Sequence, residues 1–361
     1  MNIVKSTRLF EQWLAQHTNV VKKDLRLKHA NMKLSAFRFL RGTYYRWAQL
    51  WPELCTNESR VPRVLAVGDL HIDNFGTWRD VEGRLIWGIN DFDEAYPLPY
   101  TNDLIRLAVS AHLASDAGHL SLKKNDICDA ILEGYLQTMQ QGGLPFVLEE
   151  QNEWLREIAL TDLRDPVRFW KKMEALPTAS RDVPVSAIDA MEHLFPAPNL
   201  KYRIARRVAG LGSLGHPRYV ALAKWNGHWI AREAKALVPS SCHWAGDHHA
   251  PAEILYQSIL SRAVRCPDPF VQLRGQWIVR RLSPHCSRIE LTSLEVHGSE
   301  TRLLNSMGRE TANVHLGTRS AAKDILRHAK RQRRTWLHEA TQTMLRRIST
   351  DWKVWKKDGY E

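Results

Sequence analysis

Apolar residues recur along this chain with two periods, and the changes between them mark out its elements. Residues 1–55 read as helical, with FRFLRGTYYRWAQLW supplying aromatics at helical spacing. RVLAVGD and RLIWGINDF follow, two short runs rich in Val, Ile and Leu and broken by Gly and Asp, which predict strands flanking a loop. From Thr101 to about Leu144 the pattern is helical again, as in NDLIRLAVSAHLA and DAILEGYLQTM. Residues 145–200 are mixed, and Pro177, Pro184, Pro196 and Pro198 mark a connecting region. KYRIARRVAG, RYVALAKW, HWIAREAKAL and QWIVRRL then predict short strands separated by turns, with one helix candidate, PAEILYQSILSRAV, between them. Residues 303–318 and 321–348 return to helix, where Ile325, Ala329, Trp336, Ala340, Met344 and Ile348 recur with a period near 3.6.

The expected class is therefore α+β. A larger, mainly helical part is written as 1–200 and 301–361, and a small strand-rich part as 201–300. Composition agrees with a globular chain: 44% hydrophobic and 25% charged, with no biased tract. The start, MNIVKSTRLFEQWLAQ, lacks the apolar core of a signal peptide, and no stretch reaches the roughly 20 apolar residues of a membrane helix. Cys55, Cys128, Cys242, Cys266 and Cys286 are scattered without CxxC spacing, which favours reduced thiols in the cytoplasm over a disulfide frame or a zinc site. His243, His248 and His249 match no zinc spacing either. The net charge of +12 is concentrated toward the C-terminus, at residues such as Lys330, Arg331, Arg333 and Arg334. The first reading is a solvated helix face, with an acidic substrate, a nucleotide or a nucleic acid as sharper ones.

Three segments carry residues suited to phosphoryl transfer, which needs a metal on the phosphates, a carboxylate beside the acceptor and amides over the phosphate chain. In Val67-Gly68-Asp69-Leu70-His71-Ile72-Asp73-Asn74, an Asp precedes an Asn by five residues. The Asp is placed to orient or deprotonate an acceptor hydroxyl, and the Asn to offer magnesium a neutral oxygen. Asn90-Asp91-Phe92-Asp93-Glu94 ends a strand and offers hard carboxylate oxygen to the same ion. Gly210-Leu-Gly212-Ser-Leu-Gly215 lies between two strand-like runs, where glycines let a turn press its amides onto phosphates. A Rossmann turn would be followed by a helix; here a β-rich run follows.

Together GDLHIDNFG, INDFDEA and NDLIRLA resemble the signature of aminoglycoside-phosphotransferase-like kinases. With FRFLRG upstream and RRVAGLGSLG and REAKALVPS downstream, the set looks more like the uncharacterised bacterial family DUF2252, whose members are placed among kinase-like folds. The resemblance implies a two-lobed protein-kinase-like fold using ATP and Mg2+, circularly permuted because the glycine turn follows the catalytic loop. It implies that Asp69 is the catalytic Asp, Asn74 and Asp91 metal ligands with Asp93 a second carboxylate, and Asp103 a brace for the catalytic loop. It also implies that Gly210, Gly212 and Gly215 form the phosphate loop. Many relatives read KEA where this chain reads REA, which puts Arg232 at the phosphate-binding lysine position and leaves Lys235 as a displaced substitute. Glu253, opening the next helix candidate, would pair with either.

His71 is placed to touch metal or acceptor, or to orient the loop; Arg41 to reach a phosphate, or to form an ion pair within packed aromatics; His315 to be structural. The expected activity is phosphotransfer to a small molecule or a protein. AMP transfer on the same fold, or a nucleotide-binding pseudokinase or basic scaffold, stand as alternatives. A nucleic-acid surface on the basic C-terminal helix is a secondary reading. A two-metal phosphoesterase would need a Gly-Asn-His-Asp/Glu segment and a late Gly-His-x-His, and the chain has neither.

Overall fold

In a computed structural model, the structure describes all residues except 119, 121, 151, 162–164, 180–181, 247–251, 285, 287–298 and 360–361. Four helices open the chain: α1 (Ile3–His17), α2 (Lys22–Leu34), α3 (Ala36–Gly42) and α4 (Tyr44–Leu54). Side-chain caps from Asn2 and Ser35 start α1 and α3. Strands β1 (Arg63–Ala66), β2 (Phe75–Arg79), β3 (Leu85–Ile89) and β4 (Tyr96–Pro99) follow, then α5 (Thr101–Asp116), α6 (Lys124–Gln141) and β5 (Phe146–Val147). The connecting region holds α7 (Glu153–Thr161), α8 (Pro166–Glu174) and α9 (Val185–Glu192). The strand-rich stretch contains β6 (Tyr202–Arg206), β7 (Arg218–Trp225), β8 (His228–Ala236), α10 (Ser241–Trp244), α11 (Tyr256–Arg262), β9 (Gln272–Arg274) and β10 (Trp277–Leu282). Helices α12 (Ser299–His315), α13 (Ala322–Arg331) and α14 (Trp336–Asp358) end it.

The molecule is α+β, with small antiparallel sheets set among helical regions. The largest sheet has five strands in the order β6-β7-β8-β10-β9; β2-β3-β5 and β1-β4 form the others. Helix α9 and the sheet enclose one apolar cluster around Met191, Ala234, Ala236 and Trp277. Helix α8 covers the opposite face through Phe169, Met173, Val220 and Leu222. A much larger cluster joins α1, α3–α6, α12 and α14. Helix α5 lies at its centre: every residue from Thr101 to Ala114 is buried, and its polar members Asn102, Asp103 and Arg106 are buried with hydrogen-bond partners. Helices α6 and α12 cross at a pair of glycines. A Cβ on Gly134 would overlap the carbonyl oxygen of Asn305, and one on Gly308 that of Ile131. Among the described residues no helix is long and apolar enough to cross a membrane.

Several element boundaries differ from the sequence expectation. Strands β2 and β4 were not expected, because β2 overlaps the loop motif and β4 contains two prolines, Pro97 and Pro99, as an edge strand can. The helix expected from Pro251 begins only at Tyr256, so Glu253 stands outside it, exposed. The helix expected over 321–348 is two helices, broken between Arg331 and Trp336. His248 and His249 lie outside the described residues.

Candidate functional site

Strand β1 delivers Val67-Gly68-Asp69 to the N-terminal end of α5. Gly68 has φ +80°, and a Cβ there would overlap the carbonyl oxygen of Glu94, so the turn requires glycine. The amides of Val67 and Gly68 donate to the two carboxylate oxygens of Asp103, at 2.7 and 3.0 Å. His315 on α12 meets Asp103 Oδ2 through Nε2 at 3.0 Å and the Tyr135 hydroxyl through Nδ1 at 3.0 Å. A buried hydrogen-bond chain through α5, α6 and α12 thus fixes the loop that presents Asp69.

Asp69 is held by an arginine that the sequence reading did not assign. Arg106, fully buried on α5, donates through Nε at 2.8 Å and through Nη2 to Asp69 Oδ1. Its Nη2 also reaches the Leu40 carbonyl, and the guanidinium lies 4.8 and 4.9 Å from the Tyr44 and Trp47 ring centroids. Nη1 of Arg106 is buried with no hydrogen-bond partner among the described residues. Burial raises the Asp69 carboxyl, and Arg106 works against that rise. An arginine inside the apolar run LIRLAVSAHLA was the available signal, since such a charge stays buried only with a partner.

Asn74 closes a 3-10 turn, Ile72–Asn74, just before β2. Its amide donates to the His71 carbonyl at 2.9 Å and its carbonyl accepts from Asn90 at 3.0 Å, which aligns the two acidic segments. Its side-chain Oδ1 is buried without a partner among the described residues. Asp91 and Asp93 follow β3 and meet Lys235 Nζ, at 3.2 Å from Asp91 Oδ1 and 2.5 Å from both oxygens of Asp93. Burial and the neighbouring Asp91 push Asp93 up to about 6, against the pull of Lys235. Glu94 next to it accepts from the Ser240 hydroxyl at 2.9 Å, the Ser241 amide at 2.6 Å and the Ser241 hydroxyl at 2.7 Å.

The glycine turn covers this group. Gly212 sits so that an added Cβ would lie 3.6 Å from Asp69 Oδ2. Helix α2 holds the turn from outside: Lys28 Nζ donates to the Gly212 carbonyl at 2.8 Å, and the Val21 amide to that of Gly215 at 2.8 Å. Gly210 lies against Arg218, which donates to Ser213 Oγ at 2.8 Å.

Strand alternation separates the two basic residues of REAKA. Glu233 and Lys235 share one face of β8, turned into the cleft; Arg232 faces the other way. There Arg232 donates to the Leu194 carbonyl at 2.8 Å and lies 4.9 Å from the Phe270 ring. The structure therefore brings Lys235, not Arg232, to Asp91 and Asp93. Glu253 forms no ion pair among the described residues. Buried Glu233 is the carboxylate on that strand. It pairs with Arg207, with Arg218 at 3.1 Å and with Arg280 at 3.7 Å. Burial would raise Glu233, but the three guanidinium groups outweigh it and hold it well below the usual carboxylate range. Arg41 pairs with Asp73 at 2.6 Å, and His71 Nδ1 accepts from the Asp73 amide at 3.2 Å, so both residues shape the loop from within.

Two spaces meet at this cluster. A cavity of about 820 Å³ runs under the five-stranded sheet, lined by Asp91, Gly210, Lys235, Arg207, Arg280 and Tyr256 among others. A smaller one, about 70 Å³, holds Asp69, Asn74, Asp93, Lys28 and Gly212. Asp91 and Gly210 border both.

The convergence of these segments can be set beside known proteins. The family described as "Uncharacterized protein conserved in bacteria (DUF2252)" matches residues 20–193. That span includes the Asp69, Asn74, Asp91 and Asp103 segments and ends before the glycine turn. Comparison with curated proteins and with solved structures returns no match.

Proposed function

We propose that the chain is an ATP- and Mg2+-dependent phosphotransferase with a two-lobed, protein-kinase-like and circularly permuted architecture. The observation that carries this reading is the meeting of Lys235 with Asp91 and Asp93 across a separation of 144 and 142 positions, beside a glycine turn seated over Asp69. Protein kinases place a glycine loop over the phosphates, a lysine on the third strand and an Asp and Asn on metal. Lys235 lies on the third strand of its sheet, counted from the glycine hairpin β6-β7.

The residues present fit a hard divalent cation. Asn74 Oδ1 is a buried oxygen without a partner, and two carboxylates face the same side. Asn74, Asp91 and Asp93 would hold Mg2+, which supplies charge neutralisation for the phosphates. Lys235 and the amides of the glycine turn bind the phosphate chain, and the larger cavity, within the usual size range of ligand sites, takes the nucleoside. Asp69, steadied by Arg106, accepts the acceptor's hydroxyl proton. The 70 Å³ space beyond Asp69 suits a small acceptor group.

The test uses purified full-length protein. ATP with Mg2+ is expected to raise the thermal midpoint, and the rise is expected to vanish in Asp91→Ala. Labelled ATP then distinguishes γ-phosphate transfer from AMP transfer. A wild-type protein whose midpoint ignores ATP with and without Mg2+ would overturn the reading.

A further inference from the structure

In the helical core, three ligand-type side chains from three helices meet outside the cleft cluster. His112 lies near the end of α5, Cys128 in α6 and His338 in the first turn of α14. One ring nitrogen from each histidine and the thiol sulfur lie within 4.8 Å of one another. Cys128 Sγ is 3.5 Å from His112 Nε2, and the two imidazole centroids are 6.1 Å apart. His112 and Cys128 are buried, whereas His338 is partly open to solvent. Nδ1 of His338 is buried with no hydrogen-bond partner among the described residues, whereas His112 also meets the Lys124 backbone. Leaving such a group unpaired costs about 1–3 kcal/mol, so the His338 imidazole beside a buried thiol and a second imidazole points to a missing partner.

We propose that His112, Cys128 and His338 form a Zn2+ site that joins α5, α6 and α14. One thiolate and two imidazoles are a borderline-soft donor set with no carboxylate, which suits Zn2+ rather than Mg2+ or Ca2+. Tetrahedral ligands at about 2.0–2.3 Å from zinc stand roughly 3.3–3.7 Å from each other. The Cys128–His112 pair already meets that spacing. The remaining distances, at most 4.8 Å, are within reach of small side-chain rotations. Burial holds the Cys128 thiol up at about 12 and His112 down at about 4, so both are neutral without metal. Binding releases the thiol proton to solvent and leaves the thiolate on the ion. Thr341, whose Oγ1 lies 3.9 Å from Sγ, is placed to steady that sulfur.

His112 follows Arg106 by six residues, about 9 Å along the axis of α5. The zinc site is therefore separate from the magnesium-type oxygens of the cleft and does not rest on the phosphotransfer reading. Its effect on the cleft would pass through α5, which carries Asp103 and Arg106.

Metal-stripped full-length protein titrated with Co2+ is expected to bind one ion per chain and to show a thiolate-to-cobalt charge-transfer band. Zn2+ should displace the cobalt and raise the thermal midpoint. Cys128→Ser is expected to abolish the band. His338→Asn, at a partly exposed position, should weaken Zn2+ binding at least tenfold, while Asp91→Asn leaves it unchanged. A folded wild-type chain that shows no band and retains no zinc would overturn the proposal. So would a Cys128→Ser protein that binds Zn2+ as tightly as wild type.

Discussion

The two walls of the cleft carry opposite charge and are built by different means. The helical wall presents Asp69, Asp91, Asp93 and Glu94, and its loop is pinned by backbone amides on Asp103 and by His315 behind it. The sheet wall presents Lys235, Arg207, Arg218 and Arg280, with Glu233 as the acid that gathers three of them. On the first wall, backbone geometry fixes the carboxylates. On the second, one buried carboxylate organises the cations. The walls touch where Lys235 meets Asp91 and Asp93. On the proposed phosphotransfer reading, a polyphosphate and a divalent cation would insert at that seam, phosphate to the basic side and metal to the acidic one.

The most severe way to break this arrangement is at Asp69. Asp69→Asn keeps an oxygen for Arg106 but, on the proposed reading, removes the proton acceptor, and is expected to cut phosphotransfer by about 10²–10⁴-fold. Nucleotide affinity, followed by the thermal shift with ATP and Mg2+, should stay near wild type. Glu233→Gln attacks the other wall. It leaves three guanidinium groups around a neutral amide, and the loss of stability is expected to be about 3–5 kcal/mol by denaturant unfolding.

Lys235→Met separates the walls without emptying the core. It is expected to weaken Mg·ATP binding about tenfold, in the range of one lost charge-assisted contact. Isothermal titration checks this, and the matching Arg232→Met should change affinity far less, because Arg232 faces away.

A further effect concerns pH. Glu310 on α12 accepts from the Ile89 amide at 3.2 Å and from Asn313 at 3.0 Å, and burial pushes it up from 4.5 to about 7. The folded chain thus holds a proton that the unfolded chain releases between about pH 4.5 and 7. Stability from this group is complete below that window and is lost as pH rises through it, by at most about 3 kcal/mol. Glu310→Gln should flatten this dependence, so its thermal midpoint relative to wild type rises from pH 5 to pH 8.

The sequence revealed the helical and strand-rich stretches because their apolar periods differ, and it located the Asp69, Asp91 and glycine-turn segments through turn residues at fixed spacing. It could not decide between Arg232 and Lys235. Strand alternation tells that they face opposite ways, but only the sheet's packing tells which way is inward. Glu233 and Lys28 escaped because each is an ordinary charge in its local sequence and acquires a partner only through tertiary contact; Arg106, inside an apolar run, signalled burial but not which carboxylate it would meet. The break between α13 and α14 escaped because QRRT contains neither Gly nor Pro, and the apolar period continues across it.

Helix α2 grips the glycine turn by Lys28 and Val21, and Arg206 at the end of β6 reaches Asp24 on the same helix at 2.5 Å. The turn is therefore no freely flapping lid. It is tied to the second helix of the chain, so a truncation or bulky fusion that disturbs residues 21–28 would be felt at Asp69, although none of those residues is near it in sequence.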